Sequence, residues 1–161
     1  MAKKEEKTNV CRLLDAAGIA YTVHTYPHEE GAVDAMSVAR LTGCEAGRIF
    51  KTLVTRGASG AYYVFDVPAP SALDLKKAAK AVGEKSVAMI LSRELLGLTG
   101  YVHGGCSPIG MKKPFVTVFD ETAELYESIL VSAGKIGWQV ELSPEALIAL
   151  TGASTADITE V

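Results

Sequence analysis

The sequence predicts an α/β protein of one domain, residues 1–161, with helices beside a mixed or mostly antiparallel β-sheet. Three observations carry this. Helical and alternating apolar periods are intermixed along the chain. Glycine-bearing turns at 57–60 and 134–137 each join two strand-like segments as a hairpin. The 161 residues are 48% apolar and 22% charged, which supports one sizeable core without disulfide or metal staples.

The elements follow in order. Thr8 or Asn9 caps a first helix whose apolar positions are Val10, Leu13, Leu14 and Ala17, and Gly18 stops it. Residues 19–26 alternate, are rich in Tyr, Thr and Val, and end at Pro27, the mark of a strand. Asp34 caps a short helix through Leu41, ended by Gly43. Residues 48–56 and 61–67 form the first hairpin. Ser71, with Asp74 three residues on, resembles a capping box that opens a helix through Val82 and Gly83. Residues 86–90 read as a further strand, and Ser92 caps a helix through Leu96. A long loop-like stretch, 97–113, follows; loops of that length in a compact domain usually serve a function. Residues 115–120, 129–133 and 138–142 read as three more strands. Ser143-Pro144 starts a last helix that runs to about Leu150 and stops near Gly152.

Composition excludes several classes. A formal net charge of −3 rules out a strongly basic, non-specific nucleic-acid binder, because such binding rests on many phosphate-neutralising Lys and Arg. A brief encounter with an RNA end stays compatible with the local clusters Lys76, Lys77, Lys80 and Lys112, Lys113. Cys11, Cys44 and Cys106 share no CxxC spacing, and His24, His28 and His103 form no helical pair, so neither a disulfide framework nor a metal site is expected. No apolar run approaches membrane-spanning length, and the charged start Lys3-Lys4-Glu5-Glu6-Lys7 is unlike a signal peptide. A cytoplasmic protein is expected.

Two local features point most strongly to chemistry, and the turn Gly134-Lys135-Ile136-Gly137, which carries one Lys, is a weaker third. Lys51 shares a strand face with Ile49 and Leu53, where an unpaired ammonium is costly to bury. Either it points into a cleft and meets a ligand, or it guards a sheet edge with its stem snorkelling to water. Gly104-Gly105-Cys106-Ser107-Pro108-Ile109-Gly110 is the other feature. Consecutive glycines let backbone N–H groups approach an anion or carbonyl; the plainer reading is a tight loop. Ser107 is a poor nucleophile, because the next residue is Pro108, which has no N–H to donate to an oxyanion. Cys106 reads as a small, partly buried thiol rather than a nucleophile.

Taken together, these residues resemble the YbaK/EbsC family of aminoacyl-tRNA editing domains, in its branch that deacylates Cys-tRNA(Pro). The resemblance rests on His24-Thr25-Tyr26, Phe50-Lys51-Thr52-Leu53, Leu73-Asp74-Leu75-Lys76-Lys77, Thr99-Gly100-Tyr101, the 104–113 segment and Val131-Ser132-Ala133-Gly134-Lys135. It covers nearly the whole chain. It implies a curved, mixed sheet and a pocket for the 3′-terminal aminoacyl-adenosine. Lys51 would be the central catalytic group, anchoring the terminal nucleotide or its phosphate, with Gly104 and Gly105 presenting N–H groups to the ester. Tyr26, Thr52, Ser107, Pro108, Gly110, Ser132, Gly134 and Lys135 are the implied substrate-binding residues. Two positions depart from the family pattern: Ile136, where an Arg is common, and Gln139, where some members carry Asp.

The implied activity is release of cysteine from tRNA(Pro), in which the substrate's own thiol attacks the ester and no cofactor or metal takes part. Implied partners are the 3′ end of tRNA(Pro) and prolyl-tRNA synthetase, with no membrane. Three alternatives stay open at this level: a water-using deacylase of Ala- or Ser-charged tRNA, a non-catalytic module that binds tRNA or a synthetase, and a small-molecule hydrolase using Cys106.

Overall fold

In the computed structural model, residues 7–28, 31 and 33–160 are described. The charged start 1–6 lies outside them. Among the described residues there are five α-helices: α1 (Asn9–Ala16), α2 (Ala35–Thr42), α3 (Leu75–Val82), α4 (Ser92–Thr99) and α5 (Pro144–Thr151). The eight described strands are β1 (Tyr21–Thr25), β2 (Phe50–Gly57), β3 (Tyr62–Pro68), β4 (Val87–Met89), β5 (Val116–Asp120), β6 (Ile129–Ser132), β7 (Trp138–Leu142) and β8 (Ser154–Ala156). No described helix is long and apolar enough to cross a membrane.

The α/β class is borne out, with strands in two sheets. β1, β7 and β6 form an antiparallel sheet in that order, and β4-β2-β3-β5-β8 form a second. In the second, β4-β2-β3 run antiparallel, whereas β5 joins β3, and β8 joins β5, in parallel. A single parallel bridge, Ile49 to Leu130, links the sheets just before β2 begins. Both expected hairpins form, β2–β3 and β6–β7.

The caps follow local chemistry. The Thr8 Oγ1 accepts from the Cys11 N–H at 3.3 Å, and the carboxylate of Asp34 from Ser37 N–H at 2.9 Å. Ser143 Oγ accepts from Ala146 N–H at 3.3 Å, with Pro144 at the first helical position. Two starts differ from expectation. Asp74, not Ser71, caps α3, because its carboxylate accepts from both Lys76 and Lys77 N–H at 3.0 Å. α4 begins with Leu91 as its flanking residue and Ser92 already inside the helix. The Glu94 carboxylate accepts the Leu91 N–H at 2.8 Å. α4 also runs to Thr99, so the long loop begins at Gly100, which adopts φ +83°. β8 was not expected: Ser154-Thr155-Ala156 is too short and too small in its side chains to show alternation, and the strand pairs only with the edge that β5 offers.

Alternation along β2 and β3 divides the core. Leu53, Phe65 and Val67 pack with α3 residues Ala78 and Ala79 on one face. Val54 and Val64 pack with Leu95 of α4 on the other. A separate cluster under the three-stranded sheet takes Val10 and Leu14 from α1 and Leu147 from α5. Burial of each Val, Leu or Phe among them contributes about 1.5–3 kcal/mol.

Candidate functional site

A gap in the sheet creates the site. β4 pairs with β2 only at Thr55, Arg56 and Gly57, so the first half of β2 has β3 on one side and no described strand partner on the other. A cavity of about 370 Å³ opens there, a size typical of small-molecule sites. Its walls come from β2 (Lys51, Thr52), the chain after β1 (Tyr26), the start of α2, the loop after α4 (His103, Gly104, Cys106) and the other sheet (Ser132, Gln139).

Lys51 is half-buried, and its Nζ donates to the Ala69 carbonyl at 3.2 Å. No described carboxylate stands within 4.0 Å of it. Burial pushes its proton affinity down from the ordinary lysine value. An ammonium that has lost solvent and gained only one neutral carbonyl strongly favours an anionic or carbonyl ligand. Of the two readings open from the strand pattern, the lysine faces a cleft.

Two more groups in the wall lack partners. Tyr26 is buried, its hydroxyl meets no hydrogen-bonding group among the described residues, and the same holds for the Gln139 carboxamide oxygen. An orphaned buried polar atom costs about 1–3 kcal/mol, so both are poised for a ligand's polar atoms. The backbone of Tyr26 is held rigidly, its N–H donating to Gly137 carbonyl at 2.9 Å.

The glycine loop is seated against the 134–137 turn. Gly104 lines the cavity at φ +87°. A Cβ on Gly105 would lie 3.1 Å from the Ile136 nitrogen and 3.3 Å from the Lys135 carbonyl carbon. The Gly105 N–H already donates to Val102 carbonyl at 3.0 Å, so it is not available to an ester in this conformation. The Gly104 and Cys106 N–H groups have no acceptor among the described residues.

Of the sequence-derived candidates, Lys51, Thr52, Tyr26, Gly104 and Ser132 meet around the cavity, with Gly105 directly behind. Ser132 Oγ accepts from Gly134 N–H at 3.1 Å. The other candidates lie elsewhere. Ser107 is fully buried, with its Oγ accepting from the Ile109 N–H at 3.2 Å. Pro108 and Gly110 border a different hollow beside Leu13 of α1. Gly134 packs against Tyr101 and Val10, and the Lys135 ammonium sits 5.2 Å above the Trp138 ring. These five residues shape the loops rather than the cavity wall.

Sequence reasoning missed His103 and Asp66 and treated Cys106 as a bystander. His103 lies on the exposed rim of the cavity, and Cys106 is in its wall. Burial first, and then the Asp66 carboxyl, push the Cys106 thiol up to about 12, so at neutral pH it is protonated and a weak nucleophile. No group of three or more potential metal ligands occurs among the described residues.

In this mixed α/β fold, Lys51 at an open sheet edge and Gly104 of the glycine loop line one cavity. The sequence model of the aminoacyl-tRNA editing domain matches residues 29–150, and the chain belongs to that family. It is 48% identical over 161 residues to EbsC of Enterococcus faecalis (strain ATCC 700802 / V583), a candidate Cys-tRNA(Pro)/Cys-tRNA(Cys) deacylase; the match covers 99% of this chain and 98% of EbsC. Among crystal structures, a candidate trans-editing enzyme for prolyl-tRNA synthetase aligns at TM-score 0.82 and 30% identity, covering 97% of this chain and 100% of that one. The hypothetical protein APE2540 aligns at TM-score 0.83 and 25% identity, covering 92% and 97%.

Proposed function

We propose that this protein is an aminoacyl-tRNA deacylase that removes cysteine from mischarged tRNA(Pro). The observation that carries the reading is the half-buried Lys51, with no carboxylate partner among the described residues, beside loop amides with no described acceptor in a cavity whose thiol, Cys106, is held protonated. Such a site can position and polarise an ester but offers no activated nucleophile of its own. The substrate supplies one. Its cysteine sulfur bonds to the ester carbonyl carbon as the thiol proton leaves. The bond from that carbon to the ribose oxygen breaks, the ribose oxygen takes up a proton, and a thiolactone departs for water to open. That route is a lyase-like release followed by hydrolysis.

In this scheme Lys51 anchors the terminal nucleotide or its phosphate, and Gly104 and Cys106 amides support the oxyanion. Gly105 sets the loop, while Tyr26, Thr52 and Ser132 line the substrate. Ser107, Pro108, Gly110, Gly134 and Lys135 contribute through loop shape. Positioning and oxyanion stabilisation supply the rate, as enforced proximity alone is worth several kcal/mol. With its net charge of −3 the protein holds tRNA weakly by itself, so prolyl-tRNA synthetase is the proposed partner that delivers it, in the cytoplasm.

The test is release of radiolabelled amino acid from Cys-tRNA(Pro), Ala-tRNA(Pro) and Pro-tRNA(Pro) in the presence of a chelator. Rapid loss of cysteine alone, reduced at least about 100-fold by Lys51→Ala, is the expected result. Hydrolysis of none of the three would remove the assignment; preferential loss of alanine would move it to a water-using deacylase.

A further inference from the structure

Asp66 is a buried acid that the scheme above does not use. It lies mid-strand in β3 with no exposure, and its register partner across β2 is Thr52. The Thr52 hydroxyl donates to Asp66 Oδ1 at 2.5 Å, while Oδ2 is buried with no partner among the described residues. Thr52 lines the cavity and is the residue next to Lys51. On the same face of β3, two residues back, Val64 packs in the small cluster that also receives Cys106 from the glycine loop. One carboxyl therefore lies beneath both halves of the site: the Lys51–Thr52 edge of β2 and the loop that carries Gly104.

We propose that Asp66 is a positioning residue of this site: its carboxyl, bonded to Thr52 on the β3 face whose Val64 packs with Cys106, holds strand edge and loop in register. Ionisation of that carboxyl withdraws the support. This rests on the deacylase reading for its rate readout only. A neutral carboxyl is the form that this environment tolerates, because an uncompensated carboxylate with one hydroxyl donor cannot replace its lost hydration. Burial pushes the Asp66 carboxyl up to about 8, and the Thr52 hydrogen bond offsets this only in part. The groups that face it are few. β2 presents Thr52 and β5 presents Phe119, its partner in the parallel pairing, neither of them ionisable in this range. α4 contributes the apolar Leu95 to that face. The loop contributes the Cys106 thiol, whose proton affinity Asp66 raises. No cation among the described residues forms an ion pair with Asp66.

The experiment compares wild type with Asp66→Asn, which keeps the shape and cannot ionise. Cys-tRNA(Pro) deacylation is followed from pH 6.5 to 9, and the ratio of the two rates cancels the substrate thiol's own titration. The ratio of variant to wild type is expected near one at pH 6.5 and about tenfold at pH 9, as follows from a group that is about nine-tenths ionised there. A ratio that stays flat overturns the proposal. In parallel, carbon-13 NMR of the aspartate carboxyls in wild type is expected to show one titration above pH 7, with the Thr52 and Cys106 amide resonances moving in step. No aspartate titrating above pH 6, or unmoved amides, overturns it even if the variant fails to fold. Absence of deacylation in both proteins with the NMR titration intact would sink the deacylase reading and leave Asp66 as the support of the cavity.

Discussion

Gly105 and Ile136 touch backbone to backbone, so that a Cβ on the glycine would stand 3.1 Å from the Ile136 nitrogen. This contact docks the loop after α4 onto the β6–β7 turn and thereby sets where Gly104 faces the cavity. The departure at Ile136 leaves the contact intact, because the glycine meets its main chain rather than its side chain.

Gly105→Ala is accordingly expected to lose activity by about tenfold, since a loop shift of a few tenths of an ångström misplaces the Gly104 and Cys106 amides. Its stability should fall by about 1–3 kcal/mol from overpacking. Deacylation kinetics and urea unfolding on the same sample check both. Unchanged kinetics would show that this loop does not contact the ester.

Tyr26→Phe separates folding from binding. The hydroxyl is buried with no partner among the described residues, so removing it should leave the free protein as stable as wild type or stabilise it by about 1 kcal/mol. If the hydroxyl bonds substrate, KM should rise by about tenfold with kcat less affected. A thermal melt together with steady-state kinetics distinguishes the two effects. A drop in Tm would show that the hydroxyl has a partner within the protein.

The thiol chemistry yields a third expectation. With Cys106 pushed up to about 12, iodoacetamide at pH 7.5 should leave that residue unmodified and the deacylation rate unchanged. Peptide mass spectrometry after timed alkylation reads this directly. Rapid labelling of Cys106 with parallel loss of activity would revive a protein-nucleophile mechanism.

Glu141 ties three segments together and should dominate acid stability. Its carboxylate accepts from the Ser128 hydroxyl at 2.5 Å and pairs with His24 at 2.8 Å and with Arg48. The Ser128 hydrogen bond, then His24 and Arg48, hold it down at about 2, below its ordinary 4.5. Between those values the unfolded chain binds more protons than the folded one, so stability rises with pH across that window. The contribution is full above about pH 5 and is lost as pH falls toward 2. Glu141→Gln should therefore lower Tm at pH 7 and flatten its decline from pH 5 to 3, as calorimetry would record. A parallel decline in both proteins would assign the acid sensitivity to other groups.

Much of this protein is local and was legible in its residues. Thr8, Asp34 and Ser143 cap helices because each cap bond spans only three residues, and both hairpins follow from glycines at their turns. Lys51 stood out because a charged residue interrupts an apolar strand face. Ser71 and Ser92 misled because the starts lie elsewhere: Asp74 caps α3 three residues later, and α4 starts one residue earlier, with Glu94 reaching back to the Leu91 N–H. What the residue order could not convey is which parts of the chain meet. The split into two sheets and the existence of β8 depend on strands distant in sequence finding an edge to pair with. Ser107, Pro108 and Gly110 turned away from the cavity because the loop packs on α1, far upstream. Asp66 reads in sequence as one polar residue in a strand, and only the closure of α4 and its following loop over β3 makes it a buried carboxyl. The sequence by itself determined the helices, the hairpins, the family and the lysine at its centre, because each rests on short-range bonding or a contiguous motif. The tertiary structure alone decided which polar groups lost their water, since burial is a property of neighbours brought from elsewhere in the chain.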